Sequence, residues 1–179
     1  MLARLVGATV LACAAMAAPA AAQNVNGTVD ITGSVGERCE FTVDNALIPL
    51  GELSIAGSGL TAGQLDTAAV NGEFATLTGW CNGTSATMTV EAFPIENVDF
   101  VAAPPTGFDR VVNYTATAVA STGSANDGSA AGGAGTPSTV GVFSSNITVT
   151  LSASSTPNSG KLIAGDYEGS VDVTLSPAI

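Results

Sequence analysis

Past its first two dozen residues this chain repeats one pattern. Apolar and polar residues alternate with a period of two, in short stretches set apart by glycine, proline and asparagine. A β-strand sends successive side chains to opposite faces, so each such stretch is legible as a strand with one buried face and one solvated face. Val25 to Val35 is the clearest case: Val25, Gly27, Val29, Ile31, Gly33 and Val35 share one parity, and Asn26, Thr28, Asp30, Thr32 and Ser34 share the other. No later stretch carries a helical period. Short alternating strands between turn signals predict an all-β fold, an antiparallel β-sandwich.

Taken in order, Cys39, Phe41 and Val43 alternate with Glu40, Thr42 and Asp44, which predicts a strand directly after the break at Gly36 to Arg38. Leu47 to Leu53 is extended, and Pro49, which has no N–H for a ladder, places it at an edge or at a switch between sheets. Ser54 to Asn71 is a loop with a short helical turn expected around Ala62 to Leu65. Glu73 to Cys81 is a strand, and Asn82-Gly83 is a hairpin signal that joins it to a strand with Met88, Val90 and Ala92 on its apolar side. Arg110 to Val119 puts Val112, Tyr114, Ala116 and Ala118 on one face. Ser121 to Ser138 is Gly, Ser and Ala with a single charge, Asp127, and its composition predicts a mobile loop. Two strands close the chain, one with Ile147, Val149 and Leu151 inward, the other, after a turn at Pro157 to Gly160, with Tyr167, Gly169, Val171, Val173 and Leu175 inward.

The start of the chain has the form of a secretory signal peptide: Arg4, an apolar run from Leu5 to Ala18, Pro19, then Ala20-Ala21-Ala22 before Gln23. The run is too short for a comfortable membrane span and no second one follows, so no integral membrane segment is expected. A lipoprotein cleavage box at Val10 to Cys13 is the alternative reading of the same leader. The expected organisation is a signal peptide at 1–22, an N-terminal extension at 23–35 and a single sandwich domain at 36–179. Removing Arg4 leaves Arg38, Arg110 and Lys161 against fifteen acids, a formal charge near −12. Such a surface repels nucleic acid and anionic lipid. Cys39 and Cys81 survive processing, and in an oxidising compartment an even pair closes into a disulfide.

Catalytic equipment is sparse. Without histidine a serine or cysteine triad has no ordinary base, and there is no Gly-x-Ser-x-Gly elbow, no phosphate-cradling glycine loop and no zinc or calcium ligand spacing. Asp166, Glu168 and Asp172 share a strand face, but carboxylates there also serve to keep an edge solvated. No enzymatic activity, no metal and no cofactor is expected. Trp80, Tyr114 and Tyr167 are scattered, with the tyrosines on inward parities, and form no aromatic platform.

The order of several short anchors carries a resemblance. A leader is followed by Asn26-Gly27-Thr28-Val29-Asp30-Ile31-Thr32-Gly33-Ser34-Val35, then Cys39, then Pro49-Leu50-Gly51-Glu52-Leu53, then Cys81 at a strand end. The terminal run is Ala164-Gly165-Asp166-Tyr167-Glu168-Gly169-Ser170-Val171-Asp172-Val173-Thr174-Leu175. Over most of the mature chain this resembles the major subunits of chaperone–usher fimbriae and the related spore coat protein U group. It departs from fimbrial subunits in running on through Ser176-Pro177-Ala178-Ile179 and in its long Gly/Ser stretch. The resemblance implies an immunoglobulin-like sandwich that lacks its last strand and is completed by a donor. A periplasmic chaperone supplies that strand first, and the N-terminal extension of the next subunit then replaces it at an outer-membrane usher. Val25, Val29, Ile31 and Val35 would be the donor side chains, with Gly27 and Gly33 between them. The implied product is an extracellular fibre or coat built of like subunits. Periodicity alone leaves open whether residues 25–35 complete a neighbour's sheet or their own, as in a monomeric coat protein or an adhesin-like binding module of the same fold.

Overall fold

The computed structural model describes residues 25–178, so the expected leader, with Cys13, lies outside the described residues. The chain divides into two units, Met1–Ser34 and Val35–Ile179. In the first, residues 25–34 run through no ladder, and the side chains of Val25, Val29 and Ile31 are 91, 85 and 93 % exposed. Residues 25–35 therefore form no strand within the single chain. Alternation makes a stretch competent to be a strand, but a strand exists only where its N–H and C=O groups meet those of a neighbour.

In the second unit ten strands form, β1 (Cys39–Val43), β2 (Phe74–Cys81), β3 (Thr87–Asn97), β4 (Phe108–Asp109), β5 (Val111–Val119), β6 (Ser124–Gly128), β7 (Ser138–Thr139), β8 (Phe143–Ser155), β9 (Lys161–Leu162) and β10 (Tyr167–Ser176). The only helical element among the described residues is a single 3₁₀ turn, Thr67–Ala69. Among the described residues all ladders are antiparallel except the two-residue pair β4–β9. The fold is all-β, as the alternation predicts.

Hydrogen bonding runs in the order β1-β2-β8-β5-β3-β10, with β6 beside β5 and β7 beside β3. β5 belongs to two layers. Val111 and Val112 pair with Glu96 and Ile95 of β3, and from Asn113 onward β5 pairs with β8. One layer is thus β1, β2, β8, β5 and β6, the other β3, β10 and β7, and β5 closes the seam between them on one side. The inward parity of β3 and β5 fills the space between the layers. Met88, Val90, Val112, Ala116 and Ala118 are completely buried, as their alternation predicts, with Ile147 and Leu151 of β8 opposite.

Four expectations are corrected. Asn82-Gly83 does not close a hairpin, because β2 pairs with β1 and β8 while β3 pairs with β10, β5 and β7. The Asn82 side chain is engaged elsewhere: its Nδ2 donates to the Gly36 carbonyl at 3.0 Å and its Oδ1 accepts the Arg38 N–H at 2.6 Å. The turn therefore ties down the lead-in to β1 and crosses between layers. Residues 121–138 are not a mobile loop: they contain β6 and end on the first residue of β7. Ala125 and Ser129 are buried, Ser129 exchanges two 2.9 Å bonds with the backbone of Tyr114, and Asp127 Oδ2 accepts the Ala92 N–H at 2.9 Å. Gly135 donates to the Val90 carbonyl at 2.8 Å, and a Cβ at Gly135 would collide with the Asn126 carbonyl oxygen. Small residues here permit close backbone approach to the edge of β3, a role that composition alone does not distinguish from disorder. The helical turn falls at 67–69 because Asp66 caps it, accepting the Ala68 N–H at 3.0 Å, while Leu65 forms a bridge with Ser54. Residues 44–52 form no edge strand; Gly51 has φ +68°, outside the extended region.

Cys39 and Cys81 are direct ladder partners with Cα atoms 4.2 Å apart, and they are joined as a disulfide. The bridge pins β1, which pairs with β2 alone, to the layer. Across a separation of 42 residues it restricts the unfolded chain by about 4 kcal/mol on the loop-entropy account.

Candidate binding groove

β1 and β10 stand at the two ends of the hydrogen-bonded order, and no ladder joins them. The seam that β5 closes on one side is open on the other. A groove of about 1390 Å³ lies there, between Tyr167–Thr174 of β10 on one bank and Phe41 with residues 44–54 on the other, floored by Leu77, Ile95, Tyr114, Val149 and Leu151. Burial grades across the core accordingly. At the closed seam the inward residues of β3 are completely covered, whereas Val171, Val173 and Leu175, the inward parity of β10, are only half-buried although packed on the same cluster. Phe41 and Leu77 are likewise half-buried. Completing the burial of such side chains would contribute roughly 1 kcal/mol each.

The bank formed by residues 44–52 is loosely held. Among the described residues, none of its backbone groups bonds another backbone group, so it offers unpaired N–H and C=O groups along the groove. Ile48 and Leu50 dip against the core, and Leu53, where the segment is fastened by the Asp66 N–H to its carbonyl at 2.8 Å, is buried. The opposite bank is tied into the fold by its ladder to β3 and by side-chain bonds. Tyr114 is 4 % exposed, and its hydroxyl lies 2.8 Å from the carbonyl oxygens of both Phe93 in β3 and Ser170 in β10, donating to one at a time. This clamps β10 where its register shifts, at Gly169, whose missing Cβ would otherwise meet Ile95 Cγ1 at 2.9 Å. The Tyr167 hydroxyl donates to the Ile163 carbonyl at 2.8 Å at the end of the same bank.

The groove is acidic. Asp44, Glu52, Asp166, Glu168 and Asp172 line it, and none of Arg38, Arg110 and Lys161 does. The Glu52 carboxyl is held below its ordinary pKa by the Ser54 hydroxyl at 2.6 Å and the Ser54 N–H at 2.9 Å. Burial, with a smaller contribution from the Asp127 charge, pushes the Tyr114 phenol up to about 12. Neither group is set to exchange a proton near neutral pH. Among the described residues no group of three or more Asp, Glu or Cys is placed to hold a metal ion.

Of the residues singled out by sequence, Cys39 and Cys81 come together. Asp166, Glu168 and Asp172 all reach the groove, but on its rim. Val25, Gly27, Val29, Ile31, Gly33 and Val35 lie in no strand, and the space around Gly27 and Gly33 is open. Trp80 sits half-buried in β2, paired across the sheet with Glu40 and Ser144. The alternation of Phe41, Leu77, Val171 and Val173 marks them as inward-facing and does not reveal that their side of the core is open. The available signal was Pro49, which weakens an edge.

Comparison with protein-family models, with characterised proteins and with solved structures finds no match. No described helix is long and apolar enough to cross a membrane.

Proposed function

We propose that this protein is a non-enzymatic structural subunit of a bacterial extracellular fibre or coat, and that its groove is filled by an extended strand donated by residues 25–35 of another copy. The open seam between β1 and β10 carries the reading. It presents half-buried aliphatic side chains together with unpaired backbone groups, the two features that β-augmentation satisfies at once. A volume of about 1390 Å³ exceeds the roughly 300–1,000 Å³ of small-molecule pockets and suits a polypeptide better. Lengths agree. At ~3.4 Å per residue, β10 runs for about 30 Å and residues 25–35 extend to about 34 Å. The donor side chains Val25, Val29, Ile31 and Val35 are exposed in the single chain and apolar on one parity, as an insert needs to be. Donation is head-to-tail, so it propagates as a filament rather than closing as a dimer. In this reading a periplasmic chaperone occupies the groove during export, and an outer-membrane usher exchanges it for the next subunit. The disulfide holds β1, one bank of the groove, through that exchange.

The test compares the mature chain from residue 23 with the same chain beginning at residue 36, by electron microscopy and sedimentation. Filaments from the first and monomers from the second are the expected result. A mature chain that stays monodisperse and heat-resistant without a helper would refute the proposal.

A further inference from the structure

The rim charges bear on which strand the groove takes. In the ladder between β3 and β10, Asp172 lies directly opposite Glu91, and Glu168 opposite Glu96. Side chains so placed have Cβ atoms about 5 Å apart, where like charges are destabilising. Arg110 Nη1 reaches Glu96 at 3.3 Å and relieves the second pair. Among the described residues no ion pair relieves the first, and the next position on the outer face beside Asp172 is that of the strand that fills the groove. The chain's own segment brings no remedy: its outward parity is Asn26, Thr28, Asp30, Thr32 and Ser34, whose single charge has the same sign as the rim.

We propose that the groove selects its occupant by charge, preferring a strand from a different protein that alternates aliphatic residues with Lys or Arg on the outward parity over residues 25–35 of its own kind. This rests on the reading of the groove as strand-accepting and adds the class of partner: an exported polypeptide with a basic-faced, apolar-backed strand.

The experiment uses the full mature chain with Val29→Ser and Ile31→Ser, which disables its own donor and leaves the domain untouched. Two fluorescent peptides are titrated against it, residues 23–35 and the same peptide with Asp30→Lys, in about 0.01 M and about 1 M salt, where the screening length falls from about 30 Å to about 3 Å. The lysine peptide is expected to bind about tenfold more tightly at low salt, with the advantage vanishing at high salt. Asp172→Asn in the domain is expected to reduce the low-salt advantage to about threefold. Equal binding at low salt, or an advantage indifferent to salt and to Asp172, overturns charge selection and leaves the strand-accepting groove standing. Failure of both peptides to bind at either salt overturns the groove reading and this inference with it.

Discussion

Val90 and Val173 both face inward, on neighbouring strands and directly opposite each other in the ladder, yet one is completely covered and the other only partly. Truncating each to alanine separates a finished core from an unfinished one. The change removes about two methylene equivalents, or roughly 1.6 kcal/mol of burial at full coverage, with a cavity cost on top that takes Val90→Ala to about 2 kcal/mol. With about a third of its surface left in water, Val173→Ala costs about 1.1 kcal/mol in the monomeric, donor-disabled chain. Filling the groove buries the remainder of Val173, so with saturating donor peptide its truncation approaches the cost at Val90. The burial that filling adds, about 0.5 kcal/mol, must then appear as an approximately twofold loss of peptide affinity. Val90→Ala, at a site the peptide does not touch, leaves affinity unchanged. Urea unfolding with and without peptide supplies both numbers. Equal costs in the free chain, or a Val173→Ala chain that binds peptide as well as its parent, would refute the argument that the seam beside β10 is open.

Three further outcomes follow from named contacts. Tyr114 keeps its proton to about pH 12 in the fold and to about 10 unfolded, so its contribution is fully present below pH 10 and is lost as pH rises towards 12. Tyr114→Phe should remove part of that alkaline decline, on the order of 2 kcal/mol across the window, as read from urea midpoints at pH 9 to 12. Replacing Cys39 and Cys81 with alanine together should lower stability by about 4 kcal/mol by the same measurement, and a loss below about 1 kcal/mol would contradict the role given to the bridge. Gly135→Ala forces residues 126 and 135 apart and should cost about 1–3 kcal/mol, whereas a neutral result would mean that this segment does not seal the edge of β3.

What was legible in the sequence follows from which interactions have a short-range signature. The parity of Met88-Val90-Ala92, of Val112 through Ala118 and of Ile147-Val149-Leu151 is a local property, and all of these residues are buried. Pairing is not local. Asn82-Gly83 has the chemistry of a hairpin turn, but Asn82 bonds to residues more than forty positions earlier in the chain and β3 departs to the other layer. Residues 121–138 fail in the opposite sense: Gly, Ser and Ala lack the apolar mass that signals order, and their order comes from Asp127, Ser129 and Gly135 meeting β3 and β5. The disulfide was legible from the cysteine count together with the expectation of an oxidising compartment. The groove is the least legible element, since it lies between two strands that do not pair. The reading of residues 25–35 likewise depends on a partner that lies outside any single chain.

Backbone amide exchange along β10 tests the central claim most directly. Its ladder to β3 engages one alternate set of N–H groups, and the set facing the open seam has no strand beside it. Addition of a peptide spanning residues 23–35 to the donor-disabled mature chain should slow that second set, over residues 170–175, by a hundredfold or more, on the order of 3 kcal/mol of protection, while the first set is already slow. Unchanged exchange in β10 at saturating peptide would contradict a groove that is completed by an inserted strand.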